Sequence, residues 1–317
     1  MRRAVLIFNP NAGRGGRSRI AALERAADVL RREDIQADIV ATLGPGTAAV
    51  QAAGAAASGA ELVFACGGDG TLHEVVQGLA HHPSAIVGVI PLGSANALAR
   101  HLGLSFDAAE AMRQQLAFEP RSIPLGRITC ETTAGQRSRF FAVMAGAGPD
   151  GMLVYRMLAQ GKHRLGRAMY YVRAARLFMS ERFAGFPLVA QLADGTSQER
   201  KAVSAMAIRV GDLGGLFSPL IRGASPADET LQLTVTEPPH RFTLPAWFAT
   251  SWTRTHRWNP YTQHLRVTSF ACAAAGQRIH VQADGEWIGT TPMQVELVPN
   301  ALQLLMPASR STSPSGQ

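Results

Sequence analysis

The stretch ACGGDGTLHEVV, residues 65–76, sets Gly67, Gly68, Asp69 and Gly70 directly before Thr71. The preceding run ELVFAC has the apolar, β-branched content of a strand, and Leu72, Val75, Val76 and Leu79 follow at i, i+3, i+4 and i+7 on one helical face. The glycines therefore occupy a strand-to-helix junction. There the unpaired N–H groups of the first helical turn, with the helix dipole behind them, attract an anion. Gly67, Gly68 and Gly70 let the backbone approach that anion closely, and Thr71 is placed to cap the helix. The loop lacks the Gly-Lys-Ser/Thr of a Walker loop and the spacing of a dinucleotide fingerprint. Asp69 is the odd member, because a carboxylate beside a bound phosphate is repelled unless a cation stands between them. A hydrated Mg²⁺ meets that need. The plainer alternative is a glycine turn whose aspartate caps the helix.

Two more stretches have the same form. FNPNAGRGGRSR, residues 8–19, is a glycine-rich loop after the first apolar run, with arginines suited to phosphate oxygens. PLGSANALARHLGL, residues 91–104, offers backbone and side-chain donors at Gly93, Ser94 and Asn96 where a strand again yields to a helix. Three such loops from one parallel sheet converge on its carboxyl edge.

The elements that must carry these loops alternate. AVLIF, RIAALERAADVLRRED, QADIVAT, an alanine-rich stretch, ELVFAC, TLHEVVQGLAHH and AIVGVIPLG read as strand and helix in turn up to about Pro124. That order predicts an N-terminal α/β domain, residues 1–124, with a mostly parallel sheet. Beyond it, runs such as RFFAVMAGAG, AVSAMAIRVG, TLQLTVTE, RIHVQADGEWIG and TPMQVELV are separated by Gly, Pro and Asp turns, which predicts a mainly antiparallel second domain over 125–293. One helix is expected from about Gly151 to Glu181 and another near Leu244 to Arg254. The C-terminal strand, 294–308, is a candidate to return to the first domain, and 309–317 reads as a disordered tail.

At 317 residues, 46% hydrophobic and 17% charged, the chain can bury the cores of two domains. No segment nears the ~20 uninterrupted apolar residues of a membrane-spanning helix. Cys66, Cys130 and Cys272 are too few and too scattered for a disulfide framework or a zinc site, which predicts a reducing, cytoplasmic setting. The net charge of +8 admits nucleic acid, an anionic membrane or phosphorylated small molecules as partners. No basic run, zinc-finger spacing or RNA-recognition signature accompanies it, so nucleic acid is set aside. Trp247, Trp252 and Trp258, among arginines and histidines, read first as buried core and second as a membrane-interface patch.

Taken in order, NPNAG, GGDGTLHEVVQGL, PLGSANALAR, SPADETLQL and ADGEWIGTTP resemble the diacylglycerol kinase catalytic domain family, and within it the soluble bacterial lipid kinases, with ceramide and sphingosine kinases as relatives. The resemblance spans nearly the whole chain. It implies an α/β nucleotide-binding domain, a β-sandwich-like lipid domain and an active site in the cleft between them. It further implies that Gly67, Gly68, Asp69, Gly70 and Thr71 bind ATP phosphates and metal, and that Asn9, Gly13, Thr42 and Ser94 complete the nucleotide side, where Gly93 and Asn96 also lie. Glu286 is implied as the proton acceptor for the lipid hydroxyl, and a structural magnesium is implied near Asp228. Phosphoryl transfer is mostly positioning and charge neutralisation, so a phosphate cradle, a metal-holding carboxylate and one base suffice. Asp69 and Glu286 are the candidates for the last two. The Asp-Gly of ADGEW also favours a type I′ turn, and Asp284, one strand period from Glu286 on the same face, is its expected orienting partner.

The chain departs from the family pattern where Ala97 stands for a common aspartate and Glu229 for a common glycine. The resulting expectation is a cytoplasmic, ATP- and Mg²⁺-dependent lipid kinase acting on diacylglycerol or a similar amphiphile, docking transiently at the inner membrane face, with a homodimer as a further state. An NAD kinase-like or other small-molecule kinase is the alternative within this chemistry. A nucleotide-binding regulatory protein without turnover is the alternative outside it.

Overall fold

The computed structural model describes residues 2–10, 16–80, 82, 84–159, 176–177, 181, 183–211, 223–237, 250, 262–274 and 276–308. Strands β1 (Arg2–Phe8), β2 (Ile35–Ala41), β3 (Leu62–Gly67) and β4 (Ile86–Pro91) run parallel in the spatial order β2-β1-β3-β4. Every residue of β3 and β4 is buried, as befits strands covered on both faces.

The covering follows the period-two alternation of the strands. Val5, Ile7, Val63 and Ala65 meet α2 (Thr47–Ala57) and the apolar stripe Leu72, Val75, Val76 and Leu79 of α3 (Asp69–Leu79). Their neighbours Ala4, Leu6, Phe8, Phe64 and Cys66 point the other way, onto Leu23, Ala26 and Leu30 of α1 (Gly16–Arg31) and onto Ala108 and Met112 of α5 (Ala108–Leu116). Buried Gln115 pins α5 to β4, accepting from the Val89 N–H at 2.7 Å and donating to its carbonyl at 2.8 Å. A short helix, α4 (Ala97–His101), follows the loop after β4.

The second domain is antiparallel. Its strands are β5 (Glu119–Thr132), β6 (Gly135–Phe141), β7 (Met144–Ala147), β8 (Phe186–Leu192), β9 (Ser197–Ala202), β10 (Ser204–Ile208), β11 (Leu231–Thr236), β12 (Thr262–Cys272), β13 (His280–Ala283) and β14 (Glu286–Met306), with α6 (Pro149–Ala159) after β7. In β8, buried Phe186, Leu188 and Ala190 alternate with outward-facing residues, so one face of that strand meets the core. The two domains share a continuous sheet through β14. Its first part pairs with β12 and β13, its body pairs with β5, and Gln303 and Leu304 pair in parallel with Ile86 and Val87 of β4.

The helix anticipated from Gly151 begins at Pro149 and is described to Ala159. Residues 160–175, most of the stretch read as a helix near Leu244 to Arg254, Trp247, Trp252, Trp258, Gly13 and the tail 309–317 lie outside the described residues. Among the described residues, no helix is long and apolar enough to cross a membrane.

Candidate active site

The glycine loop enters its helix three residues earlier than its sequence suggests, at Gly68 instead of Thr71. Gly68 is the N-cap of α3, with extended φ −97° and ψ −170°, and no side chain caps this helix end. Thr71 is therefore not the cap but a buried residue of the first turn, its N–H donating to the Gly68 carbonyl at 3.1 Å. Its hydroxyl packs over Gly67, where a β-carbon would lie 2.4 Å from Oγ1.

Asp69 faces the third loop. Its carboxylate accepts the backbone N–H groups of Asn96 at 2.9 Å and Ala97 at 2.7 Å, and so caps the start of α4. Asn96 holds a left-handed conformation, φ 51° and ψ 55°, and folds its own amide back onto the N–H and carbonyl of Gly93. Gly93 is glycine for a steric reason, since a β-carbon there would lie 2.4 Å from the Cα of Gly68. Burial raises the pKa of Asp69, and the two N–H donors partly offset that effect.

Four of the loops share one edge. Asn9 follows β1, Thr42 follows β2, Gly67 to Thr71 join β3 to α3, and Gly93, Ser94 and Asn96 follow β4, all at the carboxyl ends of neighbouring strands. Thr42 is buried and its N–H donates to the Phe8 carbonyl at 2.8 Å, while the Asn9 carbonyl accepts from Arg19 at 3.3 Å. The edge offers backbone donors and a helix N-terminus, the chemistry that binds phosphate.

The second domain brings a carboxylate to this edge. Asp284 (φ 48°) and Gly285 (φ 83°) form a two-residue turn between β13 and β14, across which Ala283 pairs with Glu286. Two successive positive φ values are the mark of a type I′ hairpin. Glu286 points to the glycine loop, with Oε1 3.5 Å from the place a β-carbon on Gly70 would take. Asp284 stands in the turn itself, ahead of β14. It is buried and accepts the N–H groups of Ala142 at 3.0 Å and of Val143 and Met144 at 2.9 Å each. Its Oδ2 also lies 3.2 Å from Nδ1 of His73, which is equally enclosed.

Two cation positions follow from the family resemblance, and they differ in fit. Asp69 retains acceptor capacity after its two N–H bonds, so it suits an Mg²⁺ shared with phosphate oxygens. Among the described residues, no group of three or more His, Cys, Asp and Glu side chains could hold a metal alone. Among the described residues, the surroundings of Asp228 fit a cation poorly. Its carboxylate accepts the Ser225 N–H at 2.9 Å, and the carbonyls around it already serve a cation, the guanidinium of Arg209. Arg209 is 1% exposed and donates to the carbonyls of Asp228 at 2.8 Å, Thr230 at 3.2 Å, Pro124 at 3.0 Å and Pro226. Burial lowers its pKa to about 10 despite the nearby Asp228. A magnesium ion there would meet a buried positive charge.

His73 and Arg209 were not among the residues singled out from sequence. Neither carries a local signal: His73 lies just off the apolar stripe of α3, and Arg209 interrupts a strand-like apolar run. Their partners are 211 residues away for His73 and as many as 85 away for Arg209.

An α/β domain whose loops gather at one sheet edge, faced by a carboxylate from an antiparallel β-rich domain, defines a two-domain class of protein. Residues 3–128 match the diacylglycerol kinase catalytic domain, and residues 143–306 match the YegS C-terminal NAD kinase beta sandwich-like domain. The chain belongs to the family that carries the YegS C-terminal NAD kinase beta sandwich-like domain, a match that spans more than half of it, and its N-terminal part is similar to the diacylglycerol kinase catalytic domain. It is 32% identical over 189 residues to a diacylglycerol kinase of Bacillus subtilis, a match covering 57% of each chain. It is 28% identical over 177 residues to one of Staphylococcus carnosus, covering 56% of this chain and 55% of the relative. The chain thus spans little more than half the length of the curated relatives it matches. A diacylglycerol kinase structure from Bacillus anthracis shares the fold with a TM-score of 0.71 at 22% identity, covering 96% of each chain. Another chain from that organism gives 0.75 at 23% identity, over 96% of this chain and 95% of its own.

Proposed function

We propose that this protein is a lipid kinase that transfers the γ-phosphoryl group of ATP, with Mg²⁺, to a hydroxyl of diacylglycerol or a related lipid. The observation that carries the reading is the approach of Glu286 to Gly70, which puts a carboxylate beside a helix start suited to anions. In this reading the loops after β1 to β4 hold the polyphosphate through backbone N–H groups. When bound, Mg²⁺ supplies neutralisation of phosphate charge beside Asp69. Glu286 accepts the proton of the attacking hydroxyl, a role worth ~10² to 10⁴ in rate. Trp287 follows it and donates to His280 at 3.1 Å, and the Tyr155 ring stacks on His280 at 4.0 Å, an aromatic wall suited to an amphiphile. The net charge of +8 favours transient docking on an anionic bilayer, where such a substrate resides.

The test is incubation with labelled ATP, Mg²⁺ and a mixed lipid extract, beside the Glu286→Gln protein. Label should enter lipid with the wild type, and Glu286→Gln should bind ATP normally while turning over ~10² to 10⁴ times more slowly. Label in NAD phosphate instead, or full turnover by Glu286→Gln, would overturn the reading.

A further inference from the structure

Helix α3 and the turn at 284–285 touch at two points on matching sides. Gly70, in the first turn of α3, meets Glu286, and His73, three residues on, meets Asp284. Residues three apart on a helix lie on one side of it, and Asp284 and Glu286 are separated only by Gly285. The two contacts therefore form one seam between the glycine loop and the turn that bears the carboxylate. His73 is 3% exposed and Asp284 8%, so neither partner has water as a substitute.

We propose that His73 is a positioning residue: by holding Asp284, it fixes the β13–β14 turn so that Glu286 stands in register with the glycine loop. The rest of the turn is braced from behind, not from the loop side. Asp284 takes three backbone N–H groups of residues 142–144, and the Gly285 N–H donates to Oε1 of Gln282 at 2.9 Å. Gln282 is itself held by Asp150 at 3.1 Å. Among the described residues, only the imidazole of His73 reaches across from α3 to the carboxylate of the turn.

The charged groups facing His73 define its state. Burial disfavours the imidazolium, but the hydrogen bond and charge of Asp284, helped by Glu286 and opposed by Arg139 of β6, hold its pKa above the ordinary value. Of the acids on its own helix, Asp69 is turned to Asn96 and Ala97, and Glu74 accepts the N–H of Ala48.

The catalytic consequence rests on the lipid-kinase reading, so the first readout does not depend on turnover. Amide hydrogen exchange of Ala142, Val143, Met144 and Gly285 is compared in the wild type, His73→Leu and His73→Asn. His73→Leu should raise exchange at these amides about tenfold or more while the β3 and β4 amides keep their protection. The amide of His73→Asn can still donate to Asp284, so it should restore protection. In kinetics, His73→Leu should lower kcat by about 10- to 100-fold with the KM for ATP changed by less than about threefold. His73→Asn should recover much of kcat and lose the decline that the wild type shows as pH rises through the His73 titration. Unchanged local exchange in His73→Leu refutes the proposal, as does loss of protection throughout the chain in both variants. If exchange responds locally but the wild type phosphorylates no lipid, the positioning role stands and the kinase reading fails.

Discussion

Asp150, in the first turn of α6, offers a titration that can be isolated. One carboxyl oxygen accepts from Gln282 at 3.1 Å, and the other is buried without a hydrogen-bond partner among the described residues. Burial pushes its pKa up from 3.8 to about 6, against the smaller opposing effect of Gln282. A carboxyl raised in the folded state contributes stability that is complete below its unfolded value and is lost as pH rises through its folded value. Each pH unit between the two is worth about 1.36 kcal/mol, so the whole effect is on the order of 3 kcal/mol. About 2 kcal/mol of it should still be present near pH 4.5 and almost none at about pH 8. Asp150→Asn removes the titration. Its absolute stability also carries the cost of burying the new N–H donors, so the informative quantity is the difference between the two proteins as a function of pH. Unfolding curves at both pH values should show the variant gaining about 2 kcal/mol on the wild type between acid and alkaline conditions, roughly 2–4 °C in Tm per kcal/mol. Other titrating groups are common to both proteins and cancel. Parallel pH profiles would refute the argument and place Asp150 in contact with water.

Gly93→Ala should separate the two loops, because its β-carbon would lie 2.4 Å from the Gly68 backbone; a loss of about 1–3 kcal/mol in stability and a fall in ATP affinity are expected, checked by melting and equilibrium binding. Asp69→Asn should cost about 1–3 kcal/mol of stability as well as activity, since an amide nitrogen would then face a backbone N–H at Asn96 or Ala97; an unchanged melting curve would contradict the capping role. Arg209→Leu should destabilise the second domain by about 3–5 kcal/mol, while a chelator without nucleotide should leave the wild-type melt unchanged, because the cation beside Asp228 belongs to the chain.

What was legible in the sequence is what local periodicity controls. The parallel sheet follows from short apolar strands alternating with striped helices, and Leu72, Val75, Val76 and Leu79 do face the core as their spacing requires. The Asp284-Gly285 turn was legible because only that chemistry accepts two positive φ values in succession. The cap was misread because Thr71 has the right side chain and the wrong position: Gly68, free to extend, starts the helix first. Arg209 was illegible because a buried guanidinium and an exposed one look alike until the carbonyls from 124 to 230 are seen to converge on it.

The carboxylate inside the glycine loop is a structural group whatever chemistry it serves. Two N–H bonds to Asn96 and Ala97 make Asp69 the tie between the loops after β3 and β4, and its carboxylate keeps acceptor capacity beyond them. A substitution at Asp69 perturbs the tie and the edge together, so lost activity there does not identify a metal ligand. Glu286 is placed differently. It follows the turn instead of building it, since the turn is held by Asp284, Gln282 and the backbone of 142–144. Removing the charge of Glu286 leaves those bonds in place. For that reason Glu286→Gln, not Asp69→Asn, separates chemistry from architecture in this fold.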